Sequence, residues 1–157
     1  MSLLVRGGWK ALAAWLAVSF LPGAAGAPFP APAWYRSLNR PTWSPPSWVF
    51  APVWTALYAL MGVAAWLVAG GRRDGRRGAL AAFGTQLVLN AMWTPIFFGL
   101  RRPGLALVEI GATFVAVAAT TALFLRQRLV AGVLLLPYLA WVGFATLLNA
   151  EIWRRNR

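Results

Sequence analysis

A chain of 157 residues leaves room for one domain and little more. Hydrophobic residues make up 60% of it and charged residues only 11%, against about 45–50% and about 25% in soluble domains, so a water-soluble fold of this size could not hide its apolar side chains. The net charge of +12 comes from fifteen Lys and Arg against three acids, clustered as Arg72-Arg73, Arg76-Arg77, Arg101-Arg102 and Arg154-Arg155 between apolar runs, which suits headgroup anchors and not a nucleic-acid surface.

Five nearly uncharged stretches follow along the chain, at roughly 9–27, 48–69, 78–100, 103–125 and 129–150. About 20 helical residues cross a bilayer core, and helices are the structures that satisfy their own backbone in lipid. The expectation is an all-α integral membrane protein, a five-transmembrane-helix bundle in a single domain over 1–157. The first stretch has two readings. Arg6 and Lys10, an apolar run and then Ala25-Gly26-Ala27 fit a cleaved signal peptide, and equally a retained first helix.

Residues 28–47 form a long connection carrying Pro28, Pro30, Pro32, Pro41, Pro45 and Pro46, which exclude regular helix from most of it. Trp34, Tyr35 and Trp43 argue for a packed or interfacial place. Either an aromatic belt at the headgroups or a lid over a cavity accounts for them. Arg6, Lys10, Arg72, Arg73, Arg76, Arg77, Arg126 and Arg128 fall on one side of a five-span chain. Arg36, Arg40, Arg101, Arg102, Arg154, Arg155 and Arg157 fall on the other, so charge does not orient it.

Within the third stretch Gln86, Asn90 and Trp93 share a helical face, as do Trp54 and Tyr58 in the second and Trp141, Ala145 and Asn149 in the fifth. Glu109 enters the fourth by about two turns and is expected to meet Arg101, Arg102 or a ligand cation. At 1.5 Å per residue these groups lie within roughly 10 Å of one another in depth, in the membrane half nearest the Pro/Trp-rich connection. Polar side chains there mark helix contacts or a cavity. Pro22, Pro52, Pro95 and Pro137 can bend their helices to shape it. Gly78 and Ala82 have the small-xxx-small spacing of a pairing face. With no cysteine and no histidine, there is neither a disulfide framework nor the usual general base, the serines lack an activating partner, and no metal site is expected. Ten tryptophans offer flat apolar walls suited to a flat aromatic ligand.

Trp34-Tyr35-Arg36-Ser37-Leu38-Asn39-Arg40-Pro41-Thr42-Trp43-Ser44-Pro45-Pro46-Ser47-Trp48-Val49-Phe50 and then Pro52-Val53-Trp54-Thr55-Ala56-Leu57-Tyr58 resemble the tryptophan-rich sensory protein/translocator protein family (TspO/MBR). So do Leu89-Asn90-Ala91-Met92-Trp93-Thr94-Pro95-Ile96-Phe97-Phe98-Gly99 and Pro137-Tyr138-Leu139-Ala140-Trp141 through Leu148-Asn149. The resemblance implies a five-helix bundle with its first helix retained, usually dimeric, in a bacterial cell membrane. It implies a receptor or sensor that binds porphyrins such as protoporphyrin IX, and other lipophilic molecules, under the first loop. The porphyrin is a ligand there, with no cofactor. The matching positions are Trp43, Phe50, Ala51, Trp54, Tyr58, Asn90, Trp93, Trp141, Ala145 and Leu148. Asn149 joins them by its helical face, and Glu109 stands where some members carry an acid. Two other functions stay open: a light-dependent porphyrin-degrading enzyme using Trp54 and Trp141, and a sterol or lipid carrier or scaffold. Ala150 stands where the animal sterol-recognition segment has Tyr, so sterol affinity is not implied.

Overall fold

A computed structural model describes residues 8–29, 33–71 and 74–157. Arg6, Pro30, Pro32, Arg72 and Arg73 lie outside the described residues. All regular structure among those described is helical. The long helices are α1 (Trp9–Gly26), α3 (Ser47–Ala69), α4 (Arg76–Thr94), α5 (Pro103–Gln127) and α6 (Leu129–Arg155), with a short α2 (Ala33–Ser37) in the first connection. Four of them, α3 to α6, are long and apolar enough to cross a membrane, and the chain is an integral multi-pass membrane protein.

The helices close into a ring. α1 packs on α3 and α4, α3 on α6, α6 on α5, and α5 back on α4. The interior is built largely from small and β-branched side chains where helices approach closely. α3 buries Ala64, Ala65, Val68 and Ala69 on one stripe, and α1 buries Ala11, Trp15, Ser19 and Pro22 at successive turns. α1 approaches α3 closely at Gly62, where a Cβ would stand 2.8 Å from the Cα of Leu16.

The third expected stretch differs in form. α4 ends at Thr94, and Pro95–Gly99 continue as one π-helical turn. Proline has no N–H to complete the α-helical ladder, and the chain widens so that Leu100 N–H donates to the Pro95 carbonyl at 2.9 Å. The extra residue turns Phe97 fully inward and Phe98 toward the first connection. The last helix also runs past 150, to Arg155.

The first connection is packed onto this end of the ring. α2 fits its single turn between the prolines. Its Trp34 and Tyr35 rings lie 6.0 Å from Phe97, and Tyr35 sits edge-on to Phe98 at 5.3 Å. Asn39 and Asn156 bind each other twice: Asn39 N–H donates to Asn156 Oδ1 (2.9 Å), and Asn156 Nδ2 donates to the Asn39 carbonyl (3.1 Å). The loop is thereby tied to the end of α6.

Candidate functional site

Beneath this connection the expected residues sort into three groups. The first is a row of rings between α3 and α6. Trp43, half exposed, meets Phe144 edge-on at 5.8 Å. Phe144 lies 5.4 Å from Trp141, and Trp141 meets Phe50 at 5.8 Å. Ala145, like Trp141, packs against the buried core. The Trp141 indole N–H is shielded from solvent and has no hydrogen-bond partner. Burying such a donor unpaired costs on the order of 1–3 kcal/mol, which leaves a free donor in the plane of the ring, at its edge.

The second group is a chain of hydrogen bonds through the middle of the ring of helices. Tyr58 OH donates to Asn90 Oδ1 at 3.2 Å, Asn90 Nδ2 to Tyr138 OH at 3.0 Å, and Tyr138 OH to Gln86 Oε1 at 2.8 Å. Gln86 Nε2 ends the run on the Met61 sulfur at 3.9 Å. Trp54 lies over this chain, its ring 5.2 Å from Tyr58 and 6.2 Å from Tyr138. Residues of α3, α4 and α6 are thus fixed to one another across an interior where polar groups have no water to turn to.

The third group is a floor. Trp93 stacks on Phe97 at 4.8 Å and donates its indole N–H to Asn149 Oδ1 at 3.0 Å. Asn149 Nδ2 donates to the Pro103 carbonyl at 2.8 Å, joining α4, α6 and the start of α5. Leu148 is buried beside Phe97.

Two expected residues stand apart. Ala51 is exposed, one residue on from Phe50 and so about 100° around the helix; its carbonyl accepts from the Thr55 hydroxyl at 2.8 Å. Glu109 is buried, as expected of an acid in a span, but it does not reach Arg101 or Arg102, which are exposed. It accepts from Thr113 Oγ1 at 2.8 Å, and its second oxygen has no partner. The ion pairs among the described residues instead join Glu151 to Arg154 and Arg155.

Tyr138 and Phe144 were not among the expected site residues, yet Tyr138 is the central link of the polar chain and Phe144 joins Trp43 to Trp141. Their signal was present: Tyr138 precedes Trp141 by three residues and Phe144 follows it by three, which places them on its helical face. Nothing in the arrangement pairs a nucleophile with a base. What it offers is binding: flat apolar walls, an unpaired indole donor, and a rigid polar backing.

The TspO/MBR family model matches residues 11–154. The chain is 43% identical over 148 residues to a tryptophan-rich sensory protein from Cereibacter sphaeroides, covering 94% of this chain and 92% of that one. It is 44% identical over 126 residues to the human translocator protein, covering 78% of this chain and 75% of that one. A Rhodobacter capsulatus protein, CrtK, is 39% identical over 136 residues, 85% of each chain. With a family match running nearly end to end and relatives this similar in bacteria and animals, the chain belongs to the TspO/MBR family.

Proposed function

We propose that the protein is a membrane receptor or sensor that takes a flat lipophilic tetrapyrrole, of the protoporphyrin IX kind, against the ring row between α3 and α6. The observation that carries this reading is Trp141, held between Phe50 and Phe144 with its indole N–H unpaired. A planar macrocycle can stack on such rings, and a polar group that reaches the edge of the Trp141 ring can accept that hydrogen bond. The chain has neither His nor Cys to supply a strong axial ligand to a metal, so the reading is for a metal-free ring. The names of the relatives, a sensory protein and a translocator protein, support sensing or transfer as the use made of binding.

The test is a titration of the purified protein with protoporphyrin IX in the dark, read by tryptophan fluorescence. Saturable quenching is expected, with affinity falling at least about tenfold in a Trp54→Phe, Trp141→Phe double variant. Quenching that never saturates, or that is equal in both proteins, would overturn the reading.

In this reading α1 is the fifth span. Its 18 residues reach about 27 Å, and it packs on both α3 and α4. The protein also pairs with a second copy of itself, through the outer face of α4. Gly78 points into open space there, whereas Ala82 is half-buried; Ala81, Gly84, Thr85 and Val88 complete the outward stripe. Close helix approach needs such small residues. A Gly84→Leu variant is therefore expected to run as a monomer in light scattering where the parent runs as a dimer. An unchanged dimer would move the interface elsewhere.

A further inference from the structure

The end of the bundle remote from the Pro/Trp-rich connection carries a recess of about 390 Å³ between α3 and α6. Leu67, two residues before the end of α3, and Leu129 and Val130, the first two residues of α6, line it together with Arg128. Its exposed lining is mainly apolar. Leu129 and Val130 are themselves exposed, and at the edge of a membrane span such side chains meet lipid chains. The recess therefore pairs an apolar wall inside the membrane boundary with one cation at that boundary.

The cation is held in place by its backbone. Arg128 is the one residue between α5 and α6, in extended conformation. Its N–H donates to the Phe124 carbonyl at 2.8 Å, and its own carbonyl accepts from Gly132 N–H at 3.2 Å. The corner is tight: a Cβ on Gly132 would stand 2.7 Å from the Leu125 backbone nitrogen. The Arg128 stem reaches toward the end of α3, where its Cδ lies 4.0 Å from the place of a Cβ on Gly71. It thus spans the gap between the two helices that border the recess. Its guanidinium has no ion-pair or hydrogen-bond partner among the described residues, so all its donors are available.

The surroundings favour a negative occupant. Lys10, Arg76, Arg77, Arg126 and Arg128 lie at this end against a single acid, Asp74. The ion pairs among the described residues are both made by Glu151, at the far end of α6. A zwitterionic headgroup would bring a second cation into this field, whereas a net anionic one would not. We propose that the recess is a binding site for an anionic phospholipid, with the phosphate on Arg128 and an acyl chain against Leu67, Leu129 and Val130. The site is separate from the ring row and does not depend on the tetrapyrrole reading.

The experiment gives delipidated full-length protein in detergent either dioleoyl phosphatidylglycerol or dioleoyl phosphatidylcholine, and reads bound lipid by native mass spectrometry. The wild type is expected to hold one phosphatidylglycerol about tenfold more tightly than phosphatidylcholine, the scale of one charge-assisted contact. Arg128→Gln should abolish that preference with an unchanged unfolding midpoint in phosphatidylcholine. Arg77→Gln, at an exposed arginine of the same end, should keep it. Leu67→Trp, which fills the recess and leaves the charge, should weaken both lipids. Equal binding of the two lipids by the wild type would overturn the proposal, and that comparison needs no variant to fold. Equal losses in Arg128→Gln and Arg77→Gln would assign the preference to diffuse charge and overturn the site. Displacement of the lipid by millimolar inorganic phosphate would make it a free-anion site and overturn the lipid assignment.

Discussion

A Gly62→Leu variant is expected to lose the seat of α1 and to be destabilised by about 3 kcal/mol, the upper part of the usual range for overpacking. A Cβ at Gly62 would sit 2.8 Å from both Cα and Cδ2 of Leu16 and 3.1 Å from its backbone nitrogen. A flexible side chain could swing aside; a helix backbone cannot, so α1 must move bodily. That motion carries Trp15 away from Phe83, which it meets edge-on at 6.0 Å, and lifts α1 from Tyr58, whose ring already lies 3.0 Å from where a Cβ on Gly23 would be. Gly111→Ala, at a position with nothing within 4 Å, is the matched control and should melt like the parent. Thermal unfolding in detergent, followed by circular dichroism, gives the comparison. A Gly62→Leu protein with the parent's midpoint would mean that α1 is not held against α3 and would remove the support for a fifth span.

The same helix shows where sequence reading ran out. The four spans α3 to α6 are visible as long apolar runs because length and hydropathy are sufficient to define them in lipid. α1 is shorter and rich in Ala and Gly, and those features suit a signal peptide as well as a span. What the fold adds is tertiary: a glycine on another helix lets α1 approach. The π-helical turn at Pro95–Gly99 was half legible. A proline inside a span announces a defect, but whether the chain kinks or widens depends on Phe97 finding a buried place. α2 shows the opposite limit, since Ala33–Ser37 is too short to leave a periodicity among prolines.

At the site, helical spacing correctly grouped Gln86 with Asn90, which join the same polar chain. It also grouped Trp93 with them, although Trp93 turns to Asn149 and the floor. Spacing gives the face of a helix but not which neighbour that face meets, and in a ring of helices one face touches several. Glu109 makes the same point. Its nearest basic residues in sequence, Arg101 and Arg102, extend outward at the helix start, while Thr113, one turn further on, satisfies one of its oxygens without leaving the helix.

The polar chain gives the second large effect. Tyr138→Phe is expected to destabilise the protein by about 1–2 kcal/mol. Its hydroxyl is the central link, accepting from Asn90 Nδ2 and donating to Gln86 Oε1. Removing it leaves one donor and one acceptor without partners, and each unpaired buried group costs on the order of 1–3 kcal/mol. Hydrogen bonds between membrane helices average only about 0.6 kcal/mol, because the unfolded helices find other partners, so the loss falls at or below the floor of the combined range. Tyr58→Phe removes the terminal donor and leaves only Asn90 Oδ1 short, so it should cost about half as much. The ordering of the two variants is the test, measured as unfolding midpoints in one detergent. Equal losses would mean that the Tyr138 hydroxyl does not hold two bonds at once and would overturn its place as the central link. The order should also extend to ligand affinity. Trp54 rests on both tyrosines, and the hydroxyls are what hold those rings at their angles. Slackening the centre of the chain frees Trp54 more than slackening its end, so on the proposed tetrapyrrole reading protoporphyrin quenching should weaken more in Tyr138→Phe than in Tyr58→Phe.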